Sequence, residues 1–461
     1  MVGCLLALVT ASADPVTLSD AGIAPIAGAI WVDPRGGLHE GITGSGVVIL
    51  TEEGFDASIA DVMHCPLPGH HTTWVGVGSL PITSIESPVS SSGPGHGTMV
   101  VGALCGSGAQ SDGEITGAAP GVHVMSSFAT CGRSCATGDW YKVPNLRIVQ
   151  ASSDVEFVTA HVDMGLPAES DLLVIYSAGN SGGDGSDPST LDIDTLHFPS
   201  IMVAAGQPEK KDVASYSSRG DIDDKATWPT LTAPGCMFVP TPPQWIDAAA
   251  VAIEGAILRQ AVEQADCYGV STPEFATRIL QGYVQAAGTS FASPTVAGIA
   301  ALMFEVNPSL TAQQAWDILT QTADPFLTTE DTDRDGRISS TEFYEQHGWK
   351  AGYGFVNATA AVAASHYMEM RNATVGEATM CFTTLGEDGA VRLNEPGSEI
   401  GCAARGDPVG ATGTVAGAGA EVGTFQLEDS SKPGQEAPIA PLGLIIMVLA
   451  VMVFVRAKAN P

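Results

Sequence analysis

The sequence is poor in basic residues. It has 19 Lys and Arg against 51 Asp and Glu among 461 residues, which gives a formal charge of −32. Proteins that bind nucleic acid neutralise phosphates with clustered Lys and Arg side chains. Because this chain has so few of them, no nucleic-acid partner is expected.

Cysteine pairs of the metal-binding type are also missing. Nine cysteines occur, yet none forms a Cys-x-x-Cys pair, so a thiolate metal site is not expected. Removal of Cys4 with an N-terminal signal would leave eight, an even number typical of disulfide bonding in an oxidising compartment. The sequence fixes no connectivity, and the pairs to test first are the neighbours Cys131 with Cys135 and Cys381 with Cys402.

The chain does contain enough apolar residues for a globular fold. Hydrophobic residues make up 44% of it, and 53 Gly and 29 Pro indicate frequent turns. Strand-like runs at 46–50, 122–128 and 172–177 alternate with helix-capable stretches at 154–165 and 293–306. This alternation predicts an α/β fold with a mostly parallel central sheet and helices on both faces. No internal repeat is found.

The N-terminal end of the chain has the pattern of a signal peptide at residues 1–13. A short apolar run is followed by Ala11-Ser12-Ala13, the small-x-small form of a cleavage site, although no Lys or Arg precedes the run. A first strand, or a start codon assigned too far downstream, is the alternative.

The C-terminal end predicts a transmembrane helix at residues 438–455. This run is uncharged, and about 17–25 residues suffice to span a bilayer core. A buried core helix is the alternative, although such a helix should show a polar face. Arg456 and Lys458 follow the run, so the tail 456–461 is expected in the cytoplasm. The chain is therefore expected to be a single-pass protein of the cell membrane, with everything before the helix outside.

Between its ends the chain divides by composition. Residues 14–366 are expected to form one large domain, and residues 367–408, with two cysteines, a small appendage. Residues 409–437 are rich in Gly, Ala, Thr, Glu and Pro and poor in large apolar residues, which predicts a linker.

Three segments carry residue types suited to nucleophilic catalysis. In the segment 288–294 (GTSFASP), Ser290 precedes a long apolar helix, where backbone N–H groups can stabilise an oxyanion. The segment 95–98 (GHGT) places His96 at the start of another helix, between glycines that leave its ring accessible. Asn180 follows a buried strand, so its amide is expected at the carboxyl edge of the sheet, where α/β proteins bind ligands.

Together these segments resemble the subtilisin-like serine proteases, the subtilase family, over roughly residues 40–365. The ordered pair GHGT and GTSFASPTVAG is highly specific. The resemblance implies a serine endopeptidase that hydrolyses protein or peptide substrates through an acyl-enzyme. It also implies Ser290 as nucleophile, His96 as general base and then acid, and Asn180 as a side-chain donor to the oxyanion.

The acid of the triad departs from the family pattern. The family carries it as Asp-Ser/Thr-Gly after the first core strand, whereas here the strand runs into Thr51-Glu52-Glu53-Gly54. Aligning Gly54 with the motif glycine predicts Glu52 as the acid of a Ser-His-Glu triad. Two alternatives stay open: Asp56 or Asp61 supplies the charge, or the site is weakened or inactive and the fold serves as a peptide-binding surface protein.

Three other segments depart from a minimal member of the family. The stretch before Asp154 lacks the usual Ser-Leu-Gly substrate-binding edge, so no substrate preference is predicted. Glu52 lies only 38 residues after Asp14, too few for the family's usual long pro-domain. The insertion 236–288 contains a helical stretch at 246–264, which is expected to be either a lid beside the cleft or a plain surface helix.

An acidic insertion at residues 331–342 matches the calcium loop of an EF-hand. Carboxylates stand at loop positions 1, 3, 5 and 12, with Gly at 6 and Ile at 8. This pattern predicts a structural Ca²⁺ site that stiffens the domain, with a solvated acidic turn as the alternative. No cofactor is expected for catalysis. The predicted ligands are Asp331, Asp333, Asp335, the Arg337 carbonyl, Ser339 directly or through water, and Glu342.

Overall fold

The structure is a computed structural model that describes part of the chain. It describes residues 31–32, 38–39, 42–68, 94–113, 115–126, 142–152, 170–186, 199–207, 212–241, 281–334, 338–382, 384–385 and 391–392. All of them belong to one compact unit, Met1–Thr412. The predicted signal peptide, the linker, the transmembrane helix, and the helical stretches at 154–165 and 246–264 lie outside the described residues.

The elements are numbered along the chain. The strands are β1 (Trp31–Val32), β2 (Leu38–His39), β3 (Val48–Thr51), β4 (His123–Ser126), β5 (Leu146–Ala151), β6 (Leu173–Ser177), β7 (Ser200–Gln207), β8 (Asp212–Val213), β9 (Leu231–Pro234), β10 (Cys236–Pro240), β11 (Tyr283–Ala287), β12 (Thr384–Leu385) and β13 (Val391–Arg392). The helices are α1 (Pro94–Cys105), α2 (Thr289–Val306), α3 (Ala312–Gln321), α4 (Ser340–Ala351), α5 (Ala358–Arg371), α6 (Val375–Phe382) and a short 3₁₀ turn at Lys225–Thr227.

A mostly parallel sheet forms the centre of the fold, as the sequence predicts. Its strands run in the order β4-β3-β5-β6-β7, with β9 parallel to β7 and the short β8 antiparallel to β7. Three antiparallel ribbons, β1-β2, β10-β11 and β12-β13, accompany it among the described residues. Because the strands β3 to β6 are parallel, their carboxyl ends lie at one edge of the sheet.

Side chains alternate between the two faces of the sheet, as a strand period of two requires. On β3, Ile49 joins a large core cluster with α1, α2, α3 and α5, while Val48 and Leu50 join a second cluster on the other face. The helices α1, α2, α3 and α5 therefore cover one face. The prediction that helices cover both faces is thus met for this face, and the described residues do not test it for the other.

The helix α2 lies at the centre of the larger cluster. Every residue from Thr289 to Phe304 is buried. A Cβ atom on Gly298 would lie 2.5 Å from the Cβ of Ala118, so a residue without a side chain is needed where α2 passes this segment. Within the described part of the chain, α2 is the one helix long and apolar enough to cross a bilayer, and 89% of its apolar window is buried inside the domain.

The domain extends beyond the boundary expected at residue 366. The helix α5 runs to Arg371, and Met368 and Ala378 belong to the large core cluster. Thr379 Oγ1 also donates a hydrogen bond to Gln321 Oε1 at 2.8 Å, which ties α6 to α3. The first part of the predicted appendage is thus packed on the domain itself.

A disulfide joins Cys65, after β3, to Cys105 at the end of α1. Cys236 is also disulfide-bonded. The sequence did not single out the Cys65–Cys105 pair, whose members lie 40 residues apart. The pairs proposed from chain proximity involve Cys131, Cys135 and Cys402, which lie outside the described residues.

The chain after α3 is fixed by a pair of backbone bonds around a half-buried carboxyl group. Asp324 N donates to Phe355 O at 2.7 Å, and Phe355 N donates to Asp324 O at 2.8 Å. Asn357 Nδ2 donates to Asp324 Oδ1 at 2.9 Å. Burial raises the pKa of Asp324 to about 6, although the bond from Asn357 opposes the shift. The folded state therefore favours the neutral carboxyl group.

We predict that Asp324→Asn stabilises the protein increasingly as pH rises from about 4 to about 6, and by a constant amount above that. Because the folded pKa exceeds the unfolded value, the neutral carboxyl group stabilises the fold fully below about pH 4, and this contribution is lost as pH rises through 6. The amide cannot ionise and keeps the acceptor for Asn357. Thermal unfolding at about pH 8 should show a midpoint raised by about 2–4 °C.

The exposed Asp223→Asn is the matched control, and its midpoint should not move with pH in this way. A shift of equal size for Asp324→Asn at about pH 4 and about pH 8 would contradict the explanation, since ionisation would then play no part.

Candidate active site

The candidate site residues predicted from the sequence lie at the carboxyl edge of the sheet. The strands β3, β5 and β6 end at Thr51, Ala151 and Ser177. The residues that follow these three ends face the first turns of α1 and α2. The edge is therefore a meeting point of three strand ends and two helix N-termini.

Ser290 is the second residue of α2. It is largely buried, and its Oγ donates to the Ser152 carbonyl oxygen at 3.2 Å. Within the described part of the chain, the hydroxyl makes this bond rather than one to His96. Its position in the first turn places the backbone N–H at the positive end of the helix dipole. The site can thus present both a nucleophile and a donor from the same residue.

His96 lies in the first turn of α1 with its ring partly exposed. Its Nδ1 is 2.8 Å from Glu53 Oε1, and its ring centroid is 6.0 Å from that of Phe291. The bond at Nδ1 leaves Nε2 as the nitrogen for proton transfer. A Cβ atom on Gly97 would lie 2.1 Å from the Gly54 carbonyl oxygen, so only glycine lets α1 approach this closely.

Glu53, and not Glu52, is the carboxylate on the imidazole. The structure corrects the sequence assignment by one residue, because the acid directly precedes Gly54. The two side chains make different contacts, and Glu53 is the one whose carboxylate faces α1. Glu53 is almost completely buried, and its second oxygen, Oε2, has no hydrogen-bond partner among the residues that the structure describes.

Burial raises the pKa of Glu53, and the hydrogen bond and charge of His96 oppose that shift. The negative form of this carboxylate therefore depends on the imidazole beside it. A proton arriving on the ring creates the positive charge that best compensates a buried carboxylate.

Glu52 turns to the other side, where its Oε1 accepts a hydrogen bond from Ser152 N at 2.7 Å. The carboxylates of the two alternative acids bond to groups other than the imidazole. Asp56 Oδ1 accepts from Ser58 N at 3.0 Å, and Asp61 Oδ1 accepts from Gln110 N at 2.9 Å.

Asn180 is exposed, and its carbonyl oxygen is held by Thr289. Its Oδ1 accepts from Thr289 N at 2.9 Å and from Thr289 Oγ1 at 3.0 Å. These bonds leave the amide NH₂ for a ligand. The position that a Cβ on Gly288 would occupy is 3.6 Å from Asn180 Nδ2 and 3.7 Å from Ser290 N. Asn180 Oδ1 is also 3.6 Å from this position, but Thr289 already holds it, so Asn180 Nδ2 and Ser290 N are the candidate donors to an oxyanion there.

Three of the predicted calcium ligands lie together. Oxygens of Asp331, Asp333 and Glu342 are within 4.8 Å of one another. Asp335 and Arg337 lie outside the described residues. Hard carboxylate oxygens at this spacing are the donor type that Ca²⁺ takes.

Glu342 also starts α4 by a reciprocal cap with Ser339. Its Oε2 accepts from Ser339 N at 3.0 Å, and Ser339 Oγ accepts from Glu342 N at 3.1 Å. Its Oε1 accepts from Thr332 N at 2.7 Å. These hydrogen bonds, that from Ser339 first, lower the pKa of Glu342 to about 2. The carboxylate is thus ionised and already fixed within the loop.

Sequence reasoning missed Glu53, Ser152 and Thr289 as parts of the site. The available signal for Glu53 was its position directly before Gly54, the residue that aligns with the glycine of the family motif. Ser152 gave only the weak signal of a hydroxyl directly after a strand. Thr289 belongs to the GTS motif at residues 288–290. Its bonds to Asn180, however, depend on the position of α2 relative to the end of β6.

Comparison with known proteins gives one consistent result. A model of the subtilase family (Peptidase_S8) matches residues 83–356. The serine protease AprX of Bacillus subtilis (strain 168) is 25% identical over 297 residues, which cover 59% of this chain and 61% of AprX. Mycosin-4 of Mycobacterium tuberculosis is 26% identical over 310 residues, which cover 60% of this chain and 59% of Mycosin-4. The chain thus spans about three fifths of the length of these two relatives.

Solved structures of the same kind also match. Fervidolysin from Fervidobacterium pennivorans, a keratinolytic enzyme related to subtilisin, aligns with a TM-score of 0.42 at 19% identity, over 69% of this chain and 43% of fervidolysin. MycP1 with its N-terminal propeptide removed aligns with a TM-score of 0.41 at 18% identity, over 69% of this chain and 91% of MycP1.

Proposed function

Because the chain belongs to the subtilase family, we propose that it is a serine endopeptidase that uses a Ser290–His96–Glu53 triad. The observation that carries the proposal is the 2.8 Å contact of His96 Nδ1 with the buried Glu53 carboxylate, beside a serine at a helix N-terminus. A buried acid, an imidazole and a nucleophile arranged in this order are the parts that peptide-bond hydrolysis requires.

In the proposed reaction, Ser290 Oγ attacks the carbonyl carbon of the substrate while His96 Nε2 takes the hydroxyl proton. The hydroxyl must first turn from the Ser152 carbonyl oxygen towards the ring. The negative oxygen of the tetrahedral intermediate is held by Asn180 Nδ2 and Ser290 N. Glu53 stays ionised and stabilises the imidazolium.

Collapse of the intermediate breaks the peptide bond. The imidazolium gives its proton to the leaving amine, and an acyl ester on Ser290 remains. His96 then takes a proton from water as the water attacks the ester, and gives that proton to Ser290 Oγ when the ester bond breaks and the second product leaves. The cycle returns both residues to their starting protonation states, so no cofactor is consumed.

We predict that a fluorophosphonate probe labels the folded protein and that Ser290→Ala abolishes the labelling. The probe reacts only with a serine that a neighbouring base activates. Mass spectrometry of the labelled peptide would identify the modified residue. Ser58→Ala is the control, because Ser58 is exposed and its Oγ bonds to Asp56 rather than to the imidazole. A folded wild-type protein that remains unlabelled would instead favour a peptide-binding surface protein.

The acid of the triad can be tested separately. We predict that Glu53→Gln lowers kcat by about 10³–10⁴-fold with little change in KM, because an amide cannot stabilise the imidazolium. Steady-state hydrolysis of a peptide substrate gives both constants. The matched control is Asp56→Asn, whose carboxylate contacts Ser58. Equal losses of kcat in the two variants would show that Glu53 has no special role.

We further propose that the acidic loop binds a structural Ca²⁺ through Asp331, Asp333 and Glu342. The close carboxylates support this, since like charges held together favour a divalent cation. A cation there would neutralise the loop and fix the start of α4. Phe343, in the first turn of α4, packs against Val213, so the loop is joined to the domain core.

We predict that calcium raises the melting temperature of the wild-type protein but not that of Asp331→Ala. A ligand that binds only the folded state, at 100 times its Kd, stabilises it by about 2.7 kcal/mol. Thermal unfolding with calcium and with a chelator gives the two values. Asp223→Ala, an exposed acid elsewhere, should keep the full calcium response. An unchanged response in Asp331→Ala would refute the site.

We also propose that the peptidase domain is exported and held at the cell membrane by residues 438–455, with residues 1–13 as its signal peptide. The apolar runs at both ends and the basic residues after the second run support this topology. The Cys65–Cys105 disulfide is in keeping with an oxidising compartment.

A further inference from the structure

Two consecutive buried carboxylates follow β3, and the proposed triad uses only one of them. Glu52 is 7% exposed and Glu53 is 2% exposed. A carboxylate taken out of water needs hydrogen-bond partners, because its desolvation is otherwise uncompensated. Glu53 has its partner in His96. The partner of Glu52 indicates what the second carboxylate does.

Glu52 extends the β3–β5 ladder by means of its side chain. Its backbone N donates to Gln150 O at 3.2 Å, as in regular parallel pairing. The next rung of such a ladder joins a carbonyl oxygen to the N–H two residues further along the partner strand. Here the Glu52 carboxylate accepts from Ser152 N at 2.7 Å. The first residue after β5 is therefore held to β3 by a charged acceptor.

Ser152 is in turn bonded twice to the nucleophilic residue. Its Oγ donates to the Ser290 carbonyl oxygen at 2.8 Å, and its own carbonyl oxygen accepts from Ser290 Oγ at 3.2 Å. Gln150 Nε2 donates to Ser152 Oγ at 2.8 Å, which fixes the direction of that hydroxyl. All of these residues are buried.

We propose that Glu52 is a positioning residue that holds Ser290 through Ser152. The two carboxylates have different roles. Glu53 faces α1 and contacts the imidazole, whereas Glu52 faces β5 and binds Ser152, which is bonded to Ser290. Loss of the Glu52 acceptor leaves the Ser152 N–H buried and unpaired, so Ser152 moves and the serine of the triad moves with it. Displacements of about 1 Å at a reacting group can cost about 100-fold in rate. The inference rests on the proposed triad.

The test compares Glu52→Ala with Glu52→Gln in the full chain. Glutamine keeps an oxygen that can accept from Ser152 N, whereas alanine does not. We expect Glu52→Ala to lower kcat and the rate of fluorophosphonate labelling by roughly 10–100-fold with KM changed by less than about twofold. Glu52→Gln should stay within about fivefold of the wild-type rates, since the bond rather than the charge positions Ser152. If the alanine variant does not fold, Glu52→Met keeps the side-chain volume without an acceptor.

The outcomes separate this inference from the proposed function. If Glu52→Ala lowers the melting temperature but is labelled at the wild-type rate, Glu52 is merely structural and the inference is wrong. Equal losses in the alanine and glutamine variants also overturn it. A folded wild-type protein that is not labelled removes the proposed function and this inference together. Asp56→Asn, with its carboxylate outside this network, should match the wild type in every measurement.

Discussion

The site depends on the removal of two negative charges from water at the end of one strand. Buried charges destabilise a fold unless each has a partner with good geometry. Glu53 has the imidazole, and Glu52 has a backbone N–H. Because the two side chains contact different elements, one short segment fixes both a helix and a neighbouring strand. The same desolvation that disfavours the charges also strengthens the bonds they make.

The helix α2 couples this edge to the stability of the whole domain. Its body is buried among the strands β5, β6, β7 and β9, so its position is set by core packing rather than by the site. Ser290 therefore sits on a rigid support, and the helix dipole points at the space beside Gly288. Thr289 extends this support to Asn180, whose carbonyl oxygen it holds. Packing in the core thus determines where both proposed oxyanion donors lie.

Sequence reasoning predicted the parts of the fold that local pattern controls. The apolar runs of β3, β4 and β6 and the helix after Ser290 were found, because burial on a strand or helix leaves a periodic trace. The helix begins at Thr289, earlier than the apolar run alone suggested. The large cluster unites α1, α2, α3 and α5, an arrangement no single segment encodes.

The remaining parts depend on contacts between distant segments. Glu52 and Glu53 are chemically identical, so only the direction of the backbone at Gly54 decides which faces His96. The disulfide between Cys65 and Cys105 follows from the packing of α1 beside the end of β3. The sequence favoured pairs of cysteines that lie close together in the chain. Ser152 belongs to no recognised motif. It is part of the site because Glu52, Gln150 and Ser290 all form hydrogen bonds with it.

The length of the Glu53 side chain suits the close approach of α1 to the end of β3. At Gly97 the helix lies against the backbone, since an added Cβ would be 2.1 Å from the Gly54 carbonyl oxygen and 2.9 Å from the Cβ of Glu53. A shift of α1 towards the strand end would produce a steric clash at Gly97, and a shift away from it would break this contact. The position of α1 therefore cannot adjust to an acid of a different length. The carboxylate must instead span the fixed gap between the strand end and the Nδ1 atom, and the extra methylene of glutamate sets its length. A shortened side chain at this position would draw the carboxylate away from the imidazole and leave a void that the packed helix cannot fill.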